Sequence, residues 1–532
     1  MTKRRSPVRA ACVRMVCAVP ARRARYGALM AFFGLAMGLV LLGTGNSNAS
    51  SRLAARQAPI APSPPGTLLT VDPRVSGPTI SPGFLGLSFE YWAEANYAGR
   101  NPDAIDPVLV QLIRNLTPDG GAVLRVGGVT TDWTWWPVAG VARPGGVNYT
   151  LTTRRLEVMA ALARSTDARL ILGLNFEADD PVLAAAEERA MLNVIGRNRI
   201  DAFELGNEPE LYSSFAWYYK PNGTGVVGRS SGWDSAEFTQ DYTRMAAALG
   251  QNPLAGPTVG DLSWLDLDQF LKAEPRVGVV TLHRYPTWGC FNPPTAPTYP
   301  TIANLLSESA SGGLADSLSP DVAIAHAHHL TVRNDEMNSV SCGNGNGVAN
   351  VFASALWSLD ALFQMARHGV DGVNIHTAPT YPDRLFVLKR VKRRWQGVVE
   401  PEYYGLLMFA QAAPAGSRLM EVSGASGSVR AWATRVPGGQ IHVVLINDDT
   451  AHAQKLAVRV PGAGGSATLE RLQAPSVLAT HGITLGGQDF GARTTTGLLS
   501  GPSHTVALKP RAGDYVVQMP PASAALLTLP SS

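Results

Sequence analysis

The sequence predicts a (β/α)8 TIM barrel followed by an all-β sandwich. Between Phe84 and about Thr377, eight short β-rich runs alternate with helical or loop stretches, which is the strand count and size of such a barrel. Beyond one further helix-like stretch the pattern changes to period-two alternation broken by tight turns, as in a sandwich. The composition suits both parts. Of 532 residues, 45% are apolar and only 16% charged, and 53 Gly and 38 Pro are spread along the chain, which excludes a disordered or coiled-coil protein.

Residues 1–49 carry eight cations and no Asp or Glu, then the apolar run from Gly27 to Leu42 and the small residues Ser47, Asn48 and Ala49. This is the layout of a cleavable signal peptide, with an uncleaved signal anchor as its alternative, and the protein is expected to be secreted or extracytoplasmic. The formal charge of +4 belongs to this segment: without its eight cations, 37 basic residues face 41 acidic ones, a net of −4. A nucleic-acid binder keeps its positive charge on the folded domain, so that class is set aside, and a cleaved signal leaves no stable membrane partner. Residues 50–66 read as a linker rich in Pro and Ala.

Residues 67–83 open with TLLTVD, a strand that can join the sandwich, so the domains need not be collinear. The barrel is assigned to 84–404 and the sandwich to 405–532. Active sites of such barrels lie at the C-terminal ends of the strands. There the sequence places Glu90, Gly127 and Gly128, Asn207 and Glu208, His283 to Pro286, and Glu336.

Hydrolysis of a glycosidic bond needs one carboxylic acid to protonate the leaving oxygen and a second carboxylate to attack carbon or activate water. Alternation along Leu85–Glu90 turns Gly86, Ser88 and Glu90 inward, which offers Glu90 to the pocket. Along Leu330–Asn338 it groups Val332, Asn334 and Glu336 against Arg333, Asp335 and Met337. With the uncharged set inward, Glu336 faces the site and Asp335 the helices. The fourth run offers Glu204, Glu208 and Glu210, and alternation alone does not choose among them; Pro209 places Asn207 and Glu208 at the mouth, while Glu204 reads as an inward charge paired to Arg125.

LRVGG, FELGNEPEL, HRYP and NDEMNSVSCGNGNGVANVFASALWSLD together resemble glycoside hydrolase family 79, the β-glucuronidase and heparanase family of clan A, over about residues 67–530. The resemblance implies Glu208 as acid/base, Glu336 as nucleophile, a covalent glycosyl-enzyme and net retention, with no cofactor. It implies that Asn207 hydrogen-bonds the sugar 2-hydroxyl and that Tyr285 supports the nucleophile, while Arg125 keeps Glu336 ionised. Gly128, His283 and Tyr381 are further pocket candidates at strand ends. The loop from Ser341 through Cys342 and Gly343 to Gly347 precedes a helical run, and its backbone N–H groups with that helix N-terminus are expected to hold the C6 carboxylate of a uronic acid.

Cys290 and Cys342, in the loops after strands six and seven, are expected to form a disulfide in an oxidising compartment. The histidines at 326, 328 and 329 lie in an apolar run without an outlying ligand, and no metal site is read from them. Trp133, Trp135 and Trp136 either stack on sugar or pack their loop. The expected partner is a carbohydrate, a glycan bearing uronic acid. The alternatives are a clan A glycosidase for a neutral sugar (β-glucosidase, β-xylosidase or α-L-arabinofuranosidase) and a catalytically silent carbohydrate-binding protein.

Overall fold

A computed structural model of the chain describes residues 66–531. The export signal read at 1–49, its alternative as an anchor, and the linker as far as residue 65 lie outside the described residues.

Eight parallel strands close a barrel in chain order: Leu85–Glu90, Val123–Gly127, Arg169–Leu174, Ile200–Leu205, Leu254–Val259, Val277–His283, Thr331–Met337 and Gly372–Thr377. We call them strands one to eight. The interior is layered. Val123, Ile171, Ala202 and Ala255, with Val279 beside them, fill the N-terminal end with small apolar side chains. Ser88, Arg125, Glu204 and Asp335 form a buried polar layer above them, and Glu90, Glu208, His283 and Glu336 lie at the C-terminal mouth.

Strand seven departs from simple alternation. Its pairing to strand six advances from Leu282–Asn334 to His283–Glu336, and its pairing to strand eight from Asn334–Val373 to Met337–Ile375, so each side carries one extra residue on strand seven. This is a β-bulge. Arg333 and Asp335 point into the barrel, where Arg333 reaches Asn374 at 2.9 Å and Asp335 reaches Arg125 at 3.3 Å, and the bulge turns Glu336 inward as well. The expectation that Asp335 faces the helices is therefore corrected: the interior face of this strand is the charged one, because Arg125 from strand two is there to receive it.

The C-terminal part is one continuous sheet folded over a core of its own, which includes Leu69, Val443, Val458 and Leu527. The strand Thr67–Thr79 lies within this sheet, antiparallel to Arg418–Ser423 and parallel to Gln454–Arg459. The other face packs on barrel helices. Trp432 stacks on Phe363 of the helix Phe352–Arg367 with ring centroids 5.4 Å apart, and its indole N–H donates to Asp360 at 2.8 Å. The boundary placed at 404/405 falls inside the helix Pro401–Ala412 and moves past it. That helix is apolar all round, is buried along almost its whole length, and closes the eighth β/α unit.

Between strand eight and this helix stands a two-stranded hairpin, Phe386–Val391 and Arg394–Val399. Phe386 packs edge-on against Tyr97, and Gly397 exchanges backbone hydrogen bonds with Thr494 at 2.8 Å.

Candidate active site

The site is organised by Arg125. Its side chain is fully buried and makes three ion pairs: Nε to Glu204 at 2.7 Å and to Asp335 at 3.3 Å, and Nη1 to Glu336 at 2.6 Å. A second terminal nitrogen donates to Asn207 Oδ1 at 2.8 Å. One guanidinium cannot balance three buried carboxylates, and the titrations divide accordingly. Burial and the adjacent Glu204 charge hold Asp335 far above the usual carboxylate range. Glu204 is held low, because Arg125 and a hydrogen bond shared with Asp335 outweigh its burial. Glu336 is held well below its ordinary value, since His376, His283 and Arg125 together outweigh burial.

Glu336 is thus an ionised carboxylate in a buried site. Its Oε1 accepts from the Tyr285 hydroxyl at 3.0 Å, which places Tyr285 of HRYP on the opposite oxygen from Arg125. His376, at the end of strand eight, lies 3.9 Å from Glu336, 3.5 Å from Glu90 and 2.9 Å from Ser88.

Glu208 sits opposite. One side-chain oxygen of Glu208, one of Glu336 and a ring nitrogen of His283 lie mutually within 4.8 Å. Glu208 has a left-handed backbone (φ 47°), an uncommon state for a residue with a side chain, and its surroundings impose it. Its N–H donates to the Thr258 carbonyl at 3.0 Å and Pro209 follows. Glu210 anchors the turn by accepting from the N–H groups of Gly260 at 2.6 Å and Asp261 at 2.9 Å. A Cβ on Gly260 would lie 3.1 Å from the Glu208 carboxylate, so that position is kept small.

His283 links the two carboxylates. Nδ1 lies 3.2 Å from Glu208 and 4.0 Å from Glu336, and Nε2 lies 3.0 Å from the Thr258 hydroxyl and 3.5 Å from Asp335. Burial disfavours its charged form, but the Glu336 charge and the Glu208 hydrogen bond prevail and push it up to about 9. Glu208, His283 and Glu336 are also the donors close enough to share a cation among the described residues. The Arg125 guanidinium already supplies positive charge at that point.

Asn207 is fixed at both ends: its Oδ1 accepts from Arg125, and its N–H donates to Asp132 Oδ2 at 3.1 Å. Asp132 also accepts from Tyr212 at 2.5 Å and from the N–H groups of Phe176 and Glu177. Sequence reasoning missed this hub, although an Asp five residues past the end of strand two, inside DWTWWP, was the signal. Two tryptophans of that run serve packing: Trp135 is buried with Val147 and Leu183, and Trp136 lies against the main core.

On the far side of Glu336, Glu90 accepts from Tyr381 at 2.9 Å and from the Thr130 N–H at 3.0 Å. A Cβ on Gly128 would come within 2.6 Å of the Glu90 carboxyl carbon, and Gly128 itself has φ 68°, so only glycine fits there.

The loop from Ser341 to Gly347 runs beside two others: Gly289 donates to the Cys342 carbonyl at 2.8 Å, and a Cβ on Gly345 would lie 3.2 Å from Pro382. Cys342 carries a free thiol, so the expected disulfide with Cys290 is not formed. The two loops are tied by backbone hydrogen bonds instead, and the Cys342 sulfur takes the Cys290 backbone N–H as a donor. The helix N-terminus expected to hold an anion is also occupied, because the N–H groups of Phe352 and Ala353 donate to the carbonyls of Ala479 and Val477. The amides of Cys342, Gly343 and Asn344 have no acceptor among the described residues, and Gly343 is left-handed at φ 86°.

His326 and His328 pair with different carboxylates, Asp371 at 2.9 Å and Asp268 at 2.8 Å.

Residues 431–526 match the glycosyl hydrolase family 79 C-terminal beta domain. Among solved structures the chain is similar to a 4-O-alpha-L-rhamnosyl-beta-D-glucuronidase from Fusarium oxysporum 12S, at 19% identity and TM-score 0.67 over 86% of this chain and 100% of that one. It is also similar to a family 51 arabinofuranosidase from Xanthomonas axonopodis pv. citri (14%, TM-score 0.61, 87% and 99% covered). An alpha-L-arabinofuranosidase from Thermotoga maritima follows at 15%, TM-score 0.55, with 86% and 99% covered. At these identities the likeness is one of fold. No protein of curated function matches the chain.

Proposed function

From a chain whose C-terminal domain matches that of glycoside hydrolase family 79 and whose barrel mouth holds two facing carboxylates, we propose a retaining glycoside hydrolase that removes β-linked glucuronic acid, or its 4-O-methyl ether, from glycans outside the cytoplasm. The observation that carries the reading is Glu336, ionised and buried, with Glu208 across from it at a distance suited to double displacement.

In the first step Glu336 attacks the anomeric carbon while Glu208 delivers its proton to the leaving oxygen. The result is a glycosyl ester on Glu336. Water then enters where the leaving group was, Glu208 takes a proton from it, and the ester is cleaved with net retention. Arg125 and Tyr285 hold one oxygen each of Glu336, so the attacking carboxylate does not need to reorient. The Asn207 amide meets the 2-hydroxyl, a contact that strengthens in the transition state. Glu90, held by Tyr381 and Thr130, accepts from a ring hydroxyl on the non-reducing side.

The C6 carboxylate is assigned to the backbone amides of Cys342, Gly343 and Asn344. The alternative, a neutral sugar, keeps Glu208 and Glu336 and discards this contact. Release of p-nitrophenol from the β-D-glucuronide, β-D-glucoside, β-D-xyloside and α-L-arabinofuranoside decides between them. Glucuronide preferred by much more than about tenfold, the worth of 1.4 kcal/mol, supports the uronate reading, and equal rates remove it. Glu336→Gly should lose most activity and form the inverted-anomer glycosyl azide in the presence of azide. Full activity in that variant would sink the assignment of the nucleophile.

A further inference from the structure

The hairpin between strand eight and the helix Pro401–Ala412 concentrates charge in an unusual way. Lys389, Arg390, Lys392, Arg393 and Arg394 lie within six residues, all exposed, and no Asp or Glu occurs from Phe386 to Val399. Among the described residues none of the five has an ion-pair partner, whereas some exposed arginines elsewhere do, such as Arg74 with Asp72 and Arg459 with Asp514. The rest of the chain beyond residue 49 is net acidic. The concentration therefore opposes the general charge of the protein and is local to one projecting element.

The turn adds a second observation. Lys392 and Arg393 form a two-residue loop with φ of 45° and 72°, the conformation that Asn-Gly supplies at least cost. Two long cationic side chains stand there instead, in the backbone state least suited to them. Fold stability does not explain that choice, whereas a requirement for charge at the tip does.

The position is the third observation. Tyr381, which donates to Glu90 at the barrel mouth, lies five residues before the hairpin begins. The hairpin base is fixed to Tyr97 and Thr494, and Trp395 packs where a Cβ on Gly99 would lie 3.0 Å away, next to exposed Arg100. Strands of six residues reach roughly 17–20 Å, so the cations extend outward from the rim on the side of strands one and eight.

We propose that this hairpin binds an acidic polysaccharide, its charges meeting uronate carboxylates on sugar units remote from the bond being cleaved. This rests on the glycan reading of the site. The partner follows from what the tip lacks as well as from what it holds. There is no aromatic side chain at the turn for stacking nucleobases, and its one exposed apolar residue, Val391, is too little for insertion into a membrane. Spaced carboxylates on a flexible chain match spaced, solvated ammonium and guanidinium groups, and such pairs weaken as salt screens them beyond about 10 Å at 0.1 M.

The test compares the full chain with a variant carrying Lys389→Ser, Arg390→Ser, Lys392→Asn, Arg393→Gly and Arg394→Ser, whose Asn-Gly turn suits the hairpin. Two substrates are used, glucuronoxylan and p-nitrophenyl β-D-glucuronide, and migration is measured in gels containing polygalacturonate. The proposal requires that KM for the polymer rise about tenfold or more, as expected when five modest exposed ion pairs are removed. Retardation in the gel should be lost, the response of polymer KM to salt should disappear, and turnover of p-nitrophenyl β-D-glucuronide should not change. Unchanged polymer KM and unchanged retardation overturn it, as does binding of DNA or anionic vesicles by the unaltered protein in place of the polysaccharide. If the unaltered protein cleaves no glucuronide, retardation alone judges the hairpin: retained in the parent and lost in the variant upholds it while the glucuronidase reading falls. Should the five-fold variant be unstable, Lys389→Gln, Arg390→Gln and Arg394→Gln give the same comparison with the turn intact.

Discussion

Asp335 and Glu336 are neighbours in the chain and both point into the barrel, yet one is held protonated and the other ionised. The bulge in strand seven brings them to the same interior, and their partners separate them. Asp335 faces Glu204, whereas Glu336 faces His376, His283 and one terminal nitrogen of Arg125, with the Tyr285 hydroxyl on its other oxygen.

Substitution should expose this division. Asp335→Asn replaces a neutral acid by a neutral amide and is expected to keep the fold and activity within about tenfold. Glu336→Gln removes the attacking group, and its rate should fall by about 10^4 or more. Steady-state rates on one glycoside suffice, and equal losses in the two variants would contradict the assignment.

His283 makes a pH-dependent contribution to stability. Its folded value of about 9 lies above the ordinary 6.5, so its stabilisation is complete below about pH 6.5 and is lost as pH rises towards 9. The groups facing it are Glu208, Glu336, Asp335 and the Thr258 hydroxyl. Thermal melts of the parent should therefore decline across that window, and His283→Asn should flatten the decline. A parallel slope in the variant would place the titrating group elsewhere.

Tyr285→Phe deletes a hydrogen bond to an ionised acceptor, a contact worth about 1.5–3 kcal/mol. A loss of ten- to a hundredfold in kcat is expected, with KM for a small glycoside little changed. An effect confined to KM would make Tyr285 a binding residue only.

Cys342→Ser is expected to leave the melting temperature unchanged in both oxidising and reducing buffer, because its thiol is free. Loss of a structural disulfide would instead cost about 2–5 kcal/mol, readily seen in a denaturant titration.

The barrel was legible because most of its eight strands are short, largely apolar runs ended by Gly or a polar residue, strand seven (TVRNDEM) being the exception, and strand ends are where such a fold keeps its chemistry. Glu90, Asn207, Glu208, His283 and Glu336 do meet at one mouth. What sequence could not supply was register. Alternation from Leu330 groups Arg333 with Asp335 correctly, but nothing in the pattern shows that Arg125 waits inside to receive the charged face, and the bulge that brings Glu336 to the same side is invisible to it. Asp132 was hidden for a related reason: its role depends on four partners spread from Phe176 to Tyr212, none of them at a fixed spacing. The free thiol of Cys342 depends on the orientation of two loops that strand counting does not reach.

The strand Thr67–Thr79 is inserted between Arg418–Ser423 and Gln454–Arg459. During synthesis this first strand must wait, without its neighbours, until nearly four hundred further residues have left the ribosome. A barrel released before then would carry an unpaired edge, a known seed for association between chains. Truncation after residue 413 should accordingly yield aggregates rather than a smaller soluble enzyme, and the two domains cannot be exchanged with those of another protein by a single crossover.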